Sequence, residues 1–290
     1  MPETPSLIAV VGATGRQGGA VVSALLERGA RVRALVRDPE SGNAVALADR
    51  GVELIAGDLT VPDGLEAFLQ GVDAAYAMTT MYPNGTDYET AAGMAMAEAA
   101  HIANVPHLVY SSVGGAERGS GVPHFESKRR VEEQIEKLGL HATFLRPVLW
   151  MDNFAGFGVD VDDDGVAVRL PLPDGIPLEM LAVRDLGQAA ATVLLGGSPV
   201  EGRAVELAGD KRTGSGIAAA FGEAAGLPAR YEALPLEALG EDSDMAAMFR
   251  WFAETPAYQA NFDATRALVG GEGPLDLPGW IQHAGWTGKD

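Results

Sequence analysis

The sequence predicts an α/β fold built on a doubly wound parallel sheet, with a smaller α+β part after it. Two observations carry that prediction. Short apolar runs alternate with helix-period segments from residue 7 to residue 148, the rhythm of strands that lie parallel with helices on both faces. A glycine-rich turn directly follows the first apolar run and opens the first helical segment.

Residues 8–37 read IAVVGATGRQGGAVVSALLERGARVRALVR. Apolar residues at 7–11 lead into the glycine cluster, a helix-period segment at 17–28 follows, and a second apolar run fills 31–36. Gly12, Gly15 and Gly18 are spaced G-x-x-G-x-x-G, a variant of the dinucleotide fingerprint of Rossmann-type folds. One glycine allows a sharp turn, one lets main chain approach a pyrophosphate, and one lets the helix pack closely on the strand. The free N–H groups of the helix start complete an anion site.

The residue that ends the second strand selects the cofactor. An acidic side chain would accept from the adenosine ribose 2′-OH and repel a 2′-phosphate. Arg37 stands there, followed by Asp38 and Pro39. A guanidinium pairs bidentately with phosphate, and Arg16 offers a second cation or a surface for the adenine, so NADP(H) is expected over NAD(H). Two alternatives stay open: Asp38 turns inward and takes the ribose, or Arg37 is an ordinary surface arginine.

Further along, a short Ala-rich helix precedes a strand at 52–56 that ends in Gly57-Asp58-Leu59, and a helix is expected over 62–70. Asp58 lies where ligands sit at strand carboxyl ends, as an adenine contact or as a turn and cap residue. The strand at 73–78 runs into Thr79-Thr80-Met81-Tyr82-Pro83, a loop expected to cover the cofactor. A long Ala- and Met-rich helix at 88–104 follows, then a strand at 107–112, a helix at 123–138 and a strand at 142–148. His124 and Lys128 are one helical turn apart and can reach the same cleft.

The βα rhythm fades after residue 154, so residues 1–154 are expected to form the nucleotide-binding domain and 155–290 a smaller part over the cofactor cleft, with strands able to interleave. Short strands at 166–170 and 178–183 and a helix at 185–195 are expected in it. Asp160, Asp162, Asp164 and Gly165 imitate a calcium loop, but Val168 and Pro171 occupy its ninth and twelfth positions, leaving a solvated acidic turn.

Composition excludes several classes. With 290 residues, 47% of them hydrophobic, the chain can bury a continuous core. Its formal net charge of −19 disfavours a nucleic-acid or anionic-membrane surface. The absence of cysteine removes thiolate metal sites, disulfides and cysteine nucleophiles. No apolar run is long enough to span a bilayer and Met1-Pro2-Glu3-Thr4 carries no basic n-region, so a cytoplasmic location is expected, as a monomer or homodimer.

GATGRQG, the arginine ending the second strand, Gly57-Asp58, H-x-x-x-K at His124 and Lys128, and RPVLWMDNF at 146–154 together resemble the NmrA-like family of atypical short-chain dehydrogenases/reductases. Val183-Arg184-Asp185-Leu186-Gly187, Ala204 to Gly209, Met248-Phe249-Arg250-Trp251-Phe252 and Pro278-Gly279-Trp280 extend the likeness over nearly the whole chain. The resemblance implies one of two functions: an NADPH-dependent oxidoreductase of a quinone-like or conjugated acceptor, or a non-catalytic NADP(H) sensor acting through a regulatory protein.

Ordinary short-chain reductases use Ser, Tyr and Lys in a Y-x-x-x-K arrangement. Here Lys128 holds the lysine place, where it is expected to bind the nicotinamide ribose, and His124 replaces the tyrosine, either as a proton donor or as a cap or wall residue. Ser111 and Ser112 stand at the family's serine position. The expected cofactor contacts are Gly12, Ala13, Thr14, Gly15, Arg16, Gln17, Gly18, Arg37, Asp58, Leu59, Thr79, Thr80, Lys128 and Asn153, with no metal. Trp150, Met151, Phe154, Met81 and Tyr82 are candidate walls for an apolar acceptor. Without the tyrosine, reduction of a conjugated system is favoured over carbonyl reduction, because the anion formed is stabilised.

Overall fold

The computed structural model describes residues 5–197, 204–240, 243–254 and 256–288; Met1 to Thr4, on which the expected absence of a leader rests, lie outside them. The first layer is built from β1 (Leu7–Val10), α1 (Arg16–Glu27), β2 (Arg31–Val36), α2 (Gly42–Asp49), β3 (Glu53–Ala56), α3 (Pro62–Leu69), β4 (Ala74–Met78), α4 (Thr86–Ile102), β5 (Leu108–Ser111), α5 (Pro123–Lys137) and β6 (Ala142–Pro147). Each helical segment read from the sequence is present within a few residues. Most displaced is α4, which starts at Thr86 rather than 88 and ends before Asn104, whose φ of 52° takes it out of the helix.

A two-residue strand, β7 (Leu149–Trp150), leads into the second part: β8 (Val159–Asp162), β9 (Gly165–Leu170), β10 (Leu178–Leu181), α6 (Val183–Leu194), β11 (Ala204–Leu207), β12 (Asp210–Arg212), α7 (Gly214–Ala225), β13 (Ala229–Ala233), α8 (Asp244–Glu254), α9 (Phe262–Val269) and α10 (Leu277–Ala284). Among the described residues the main sheet has the order β11-β6-β5-β4-β1-β2-β3, with every neighbouring pair parallel. The order reverses at β1, which pairs with both β2 and β4, and the crevice at this switch point opens at the strands' carboxyl ends.

The strands are apolar on both faces because both are covered. Ile8 and Val10 enter one core with Val21 and Leu25 of α1 and Leu186 and Ala190 of α6. Their neighbours Leu7, Ala9 and Val11 enter the opposite core with Phe68, Met96, Val131 and Ile135 from α3, α4 and α5. This alternation is the period-two pleat of a strand.

Beyond residue 154 the chain returns to the first layer. β11 pairs in parallel with β6, Val205 opposite Leu145, and α6 packs on α1. Two small sheets, β12-β10-β7 and β13-β9-β8, complete the second part. The acidic run is the tip of the β8–β9 hairpin: Asp160 pairs with Arg169 at 3.0 Å and Asp162 with Arg230 at 2.5 Å, so arginines of neighbouring strands neutralise it.

The contact of α6 with α1 depends on Gly187, where an added Cβ would lie 2.5 Å from the carbonyl oxygen of Ala20. That oxygen is main chain inside a helix and cannot step aside. Gly187→Ala is therefore expected to lower unfolding stability by about 1–3 kcal/mol in chemical denaturation. Gly42→Ala, at an open position starting α2, is expected to leave stability unchanged or raise it by up to about 1 kcal/mol.

Candidate functional site

The glycine turn builds the floor of the site from main chain. Gly12 has φ +70°, a conformation that L side chains rarely adopt, and its carbonyl accepts from the Gly15 N–H at 2.9 Å. A Cβ on Gly18 would sit 2.3 Å from that same carbonyl oxygen, so the first turn of α1 lies directly on the loop. Gly15 caps α1 without a side-chain hydrogen bond and no acid occupies the first turn. The N–H groups at this helix start are thus left for a ligand, and negative charge is favoured there.

A cleft of about 230 Å³ extends from the turn toward β2 and β3, lined by Gly12, Thr14, Leu35, Arg37, Asp58, Leu59, Thr79, Thr80 and Tyr82 among others. Arg37 is exposed and forms no ion pair with any described residue. Asp38, the other group considered for the ribose, is exposed and accepts from the N–H of Glu40 at 3.0 Å. Asp58 accepts from the Thr60 N–H at 2.9 Å and hydroxyl at 2.7 Å. These bonds, with Arg37 nearby, hold its carboxyl below the usual carboxylate range. Asp58 thus shapes the turn after β3 and lines the cleft, while the residue that precedes α3 as its cap is Val61.

A second cavity of about 560 Å³ shares Met78, Thr79, Thr80 and Tyr82 with the first and continues across the sheet edge. Its lining includes Arg16, Gln17, His124, Trp150 and Asn153, together with Met245, Met248 and Tyr258 from the C-terminal part. Arg16 therefore lies on a different cavity from Arg37. Of the expected apolar walls, Trp150, Met81 and Tyr82 line this cavity, whereas Met151 and Phe154 are buried in the core. Gln17 accepts from the hydroxyls of Ser111 at 3.0 Å and Tyr76 at 3.4 Å, tying α1 to the ends of β4 and β5. The Ser112 hydroxyl is buried without a hydrogen-bond partner among the described residues.

Lys128 lines neither cavity. Its ammonium is buried, ion-paired with Glu89 at 3.1 Å, donating to the carbonyls of Thr79 and Ser111, and 5.4 Å from the Tyr110 ring centroid. Glu89 is only 2% exposed and needs this pairing, to which the Ser127 hydroxyl adds a hydrogen bond. Lys128 thereby fixes the main chain of Thr79, which lines both cavities. His124 is held by Asp244 of α8: one carboxylate oxygen faces Nδ1 and the other accepts from the backbone N–H at 2.9 Å.

Glu89 and Asp244 were not singled out from the sequence. Each stands in the first turn of a helix, where an acid reads as a favourable partner of the helix dipole. Of the C-terminal wall residues, Met248 belongs to the motif at 248–252 that carries the resemblance, but nothing local places it or Met245 and Tyr258 over the cleft. Ala13 is buried, and Gly15 and Gly18 act through the shape of the turn rather than as lining.

Sheet order, glycine turn and paired cavities define a Rossmann-type NAD(P)-binding protein. The chain belongs to the NmrA-like family, whose model matches residues 4–274. It is 33% identical over 232 residues to the NAD(P)H azoreductase of Xenophilus azovorans, covering 80% of this chain and 78% of that one. It superposes with a TM-score of 0.81 on the Citrobacter sp. triphenylmethane reductase complexed with NADP(H), at 23% identity over 96% of this chain and all of the other. It superposes with 0.82 on NmrA, a negative transcriptional regulator, in complex with NADP, at 24% identity over 97% and 95% of the two chains.

The turn tolerates no side chain where α1 meets it. Gly18→Ala is expected to weaken dinucleotide binding at least ~10-fold by titration calorimetry, equivalent to about 1.4 kcal/mol, because the turn must move before the helix can seat.

Proposed function

We propose that the protein is an NADPH-dependent reductase of a flat, conjugated, quinone-like acceptor. The observation that carries this is the cavity beside the dinucleotide cleft. Trp150, Phe157, Met81, Met245 and Met248 give it apolar walls, and Gln17, His124 and Asn153 supply a few polar groups, the pattern of a site that orients an aromatic ligand.

When bound, NADPH supplies a hydride from its nicotinamide ring. The main-chain N–H groups of the glycine turn hold the pyrophosphate. Arg37, which forms no ion pair with a described residue, would pair with the 2′-phosphate. Thr79, Thr80 and Asn153 position the nicotinamide half, with Lys128 bracing the loop from beneath. Arg16 adds positive charge on the acceptor side. His124 stands where it can give a proton to the reduced acceptor. A conjugated acceptor suits a site in which His124 takes the place of the Y-x-x-x-K tyrosine, since delocalisation stabilises the anion formed and orientation supplies most of the rate. The 33% identical NAD(P)H azoreductase and the NADP(H)-bound triphenylmethane reductase support a reductase of extended aromatic compounds. The protein is taken to act in the cytoplasm, as a monomer or homodimer.

A second reading, an NADP(H) sensor working through a regulatory protein, is favoured by one observation: the Lys128 ammonium is spent on Glu89 and two carbonyls rather than presented to the cavity. Turnover separates the two. Mixed with NADPH and a panel of quinones and azo compounds, the protein is expected to consume the reduced nicotinamide absorbance; tight binding without consumption overturns the reductase in favour of the sensor. In the same preparation Arg37→Glu is expected to weaken NADP(H) by about 10–100-fold, 1.4–2.8 kcal/mol, and NAD(H) by less than about 3-fold. Equal loss of both removes the phosphate role of Arg37.

A further inference from the structure

We infer that Asp244 is a positioning residue for proton delivery: it sets which nitrogen of His124 faces the acceptor cavity, and it arrives on the helix that also closes that cavity. The step rests on the reductase reading above.

His124 is the second residue of α5, directly after Pro123, and its ring forms part of the cavity lining. Asp244 is the first residue of α8, and both of its carboxylate oxygens are used on His124, one on Nδ1 and one on the main-chain N–H. A carboxylate only accepts, so Nδ1 must carry hydrogen. Nε2 is the ring nitrogen left for the cavity, and it has no hydrogen-bond partner among the described residues. The edge-to-face contact with Phe125, centroids 4.6 Å apart, limits rotation of the ring.

The same helix supplies acceptor walls. Met245 and Met248 of α8 line the cavity, while Trp251 on the inner side of α8 packs edge-on against Phe125 of α5 at 5.3 Å and seats the helix. One element therefore brings the orienting carboxylate and the apolar wall together. A site whose α8 is out of place lacks both.

The chemistry balances as follows. The acceptor gains a hydrogen and an electron pair from the dihydronicotinamide, which becomes the pyridinium. The acceptor's π pair moves onto its oxygen or nitrogen. That atom takes the proton from protonated His124: the Nε2–H bond breaks and an O–H or N–H bond forms. His124, neutral with hydrogen still on Nδ1 toward Asp244, regains its proton from water. The sum is NADPH, one proton and oxidised acceptor giving NADP+ and reduced acceptor. Asp244 touches none of the reacting atoms.

The test uses the full chain labelled with 15N-histidine, the His124 signals being assigned by their loss in His124→Gln. In the wild type at pH 8 the ring is expected as the Nδ1–H tautomer. In Asp244→Asn, the amide oxygen takes the His124 main-chain N–H and the NH2 group faces Nδ1, so the ring is expected to switch to the Nε2–H tautomer. Asp244→Ala is expected to give a mixture. With NADPH and a quinone that the wild type reduces, both variants are expected to lose about 10–100-fold in kcat, while calorimetric Kd for NADPH changes less than 2-fold. An unchanged tautomer in both variants overturns the inference, with or without turnover. So does a switched tautomer with kcat retained. Failure of the reductase reading is distinguished by the wild type alone, which would then consume no NADPH.

Discussion

The site depends on one steric constraint: the first turn of α1 rests on the carbonyl of Gly12 so closely that position 18 can carry no side chain. That contact sets where the helix begins, and the helix start sets where N–H groups converge at the switch point between β1 and β4. The groove is consequently walled on one side by main chain, which presents donors without spending side-chain entropy. Other parts of the site are arranged against this fixed edge. Lys128 and Glu89 brace the Thr79 loop from below, Arg37 lines the first cleft, and α8 walls the second cavity.

Electrostatics makes the placement of these cations consequential. A chain with formal net charge −19 repels an anionic cofactor at long range, so attraction has to be local. Several arginines elsewhere are committed to carboxylates: Arg146 to Glu132 and Glu117, Arg129 to Glu132, Glu133 and Glu136, Arg118 to Glu206, and Arg169 and Arg230 to the acidic strands. Arg16 and Arg37 have no such commitment among the described residues, and both line the groove.

What was legible in the sequence was local. The strands and helices of the first layer, the glycine turn and the arginine ending β2 follow from periodicity and spacing within a few tens of residues, and the structure has them there. The Asp38 turn, the return of β11 to β6 and the His124–Asp244 contact were not legible, because each is decided by where a distant or competing partner lands. His124 and Asp244 are 120 positions apart, and either alone is an ordinary residue of a helix's first turn. The acidic run was readable as a turn, but its neutralisation by Arg169 and Arg230 required the β8-β9-β13 sheet. Met151 and Phe154 show the limit of reading walls from composition: both are buried in the core, while Met245 and Met248 of α8 join Trp150, Met81 and Tyr82 in lining the second cavity.

The central claim is that a main-chain cradle holds the dinucleotide while one arginine recognises its extra phosphate. Calorimetric titration with adenosine 2′,5′-bisphosphate and with 5′-AMP isolates that recognition from the nicotinamide half. The 2′-phosphorylated nucleotide is expected to bind at least ~10-fold more tightly, about 1.4 kcal/mol, with the gap shrinking as ionic strength rises. Equal affinities, or no association of either at sub-millimolar concentration, would contradict the account.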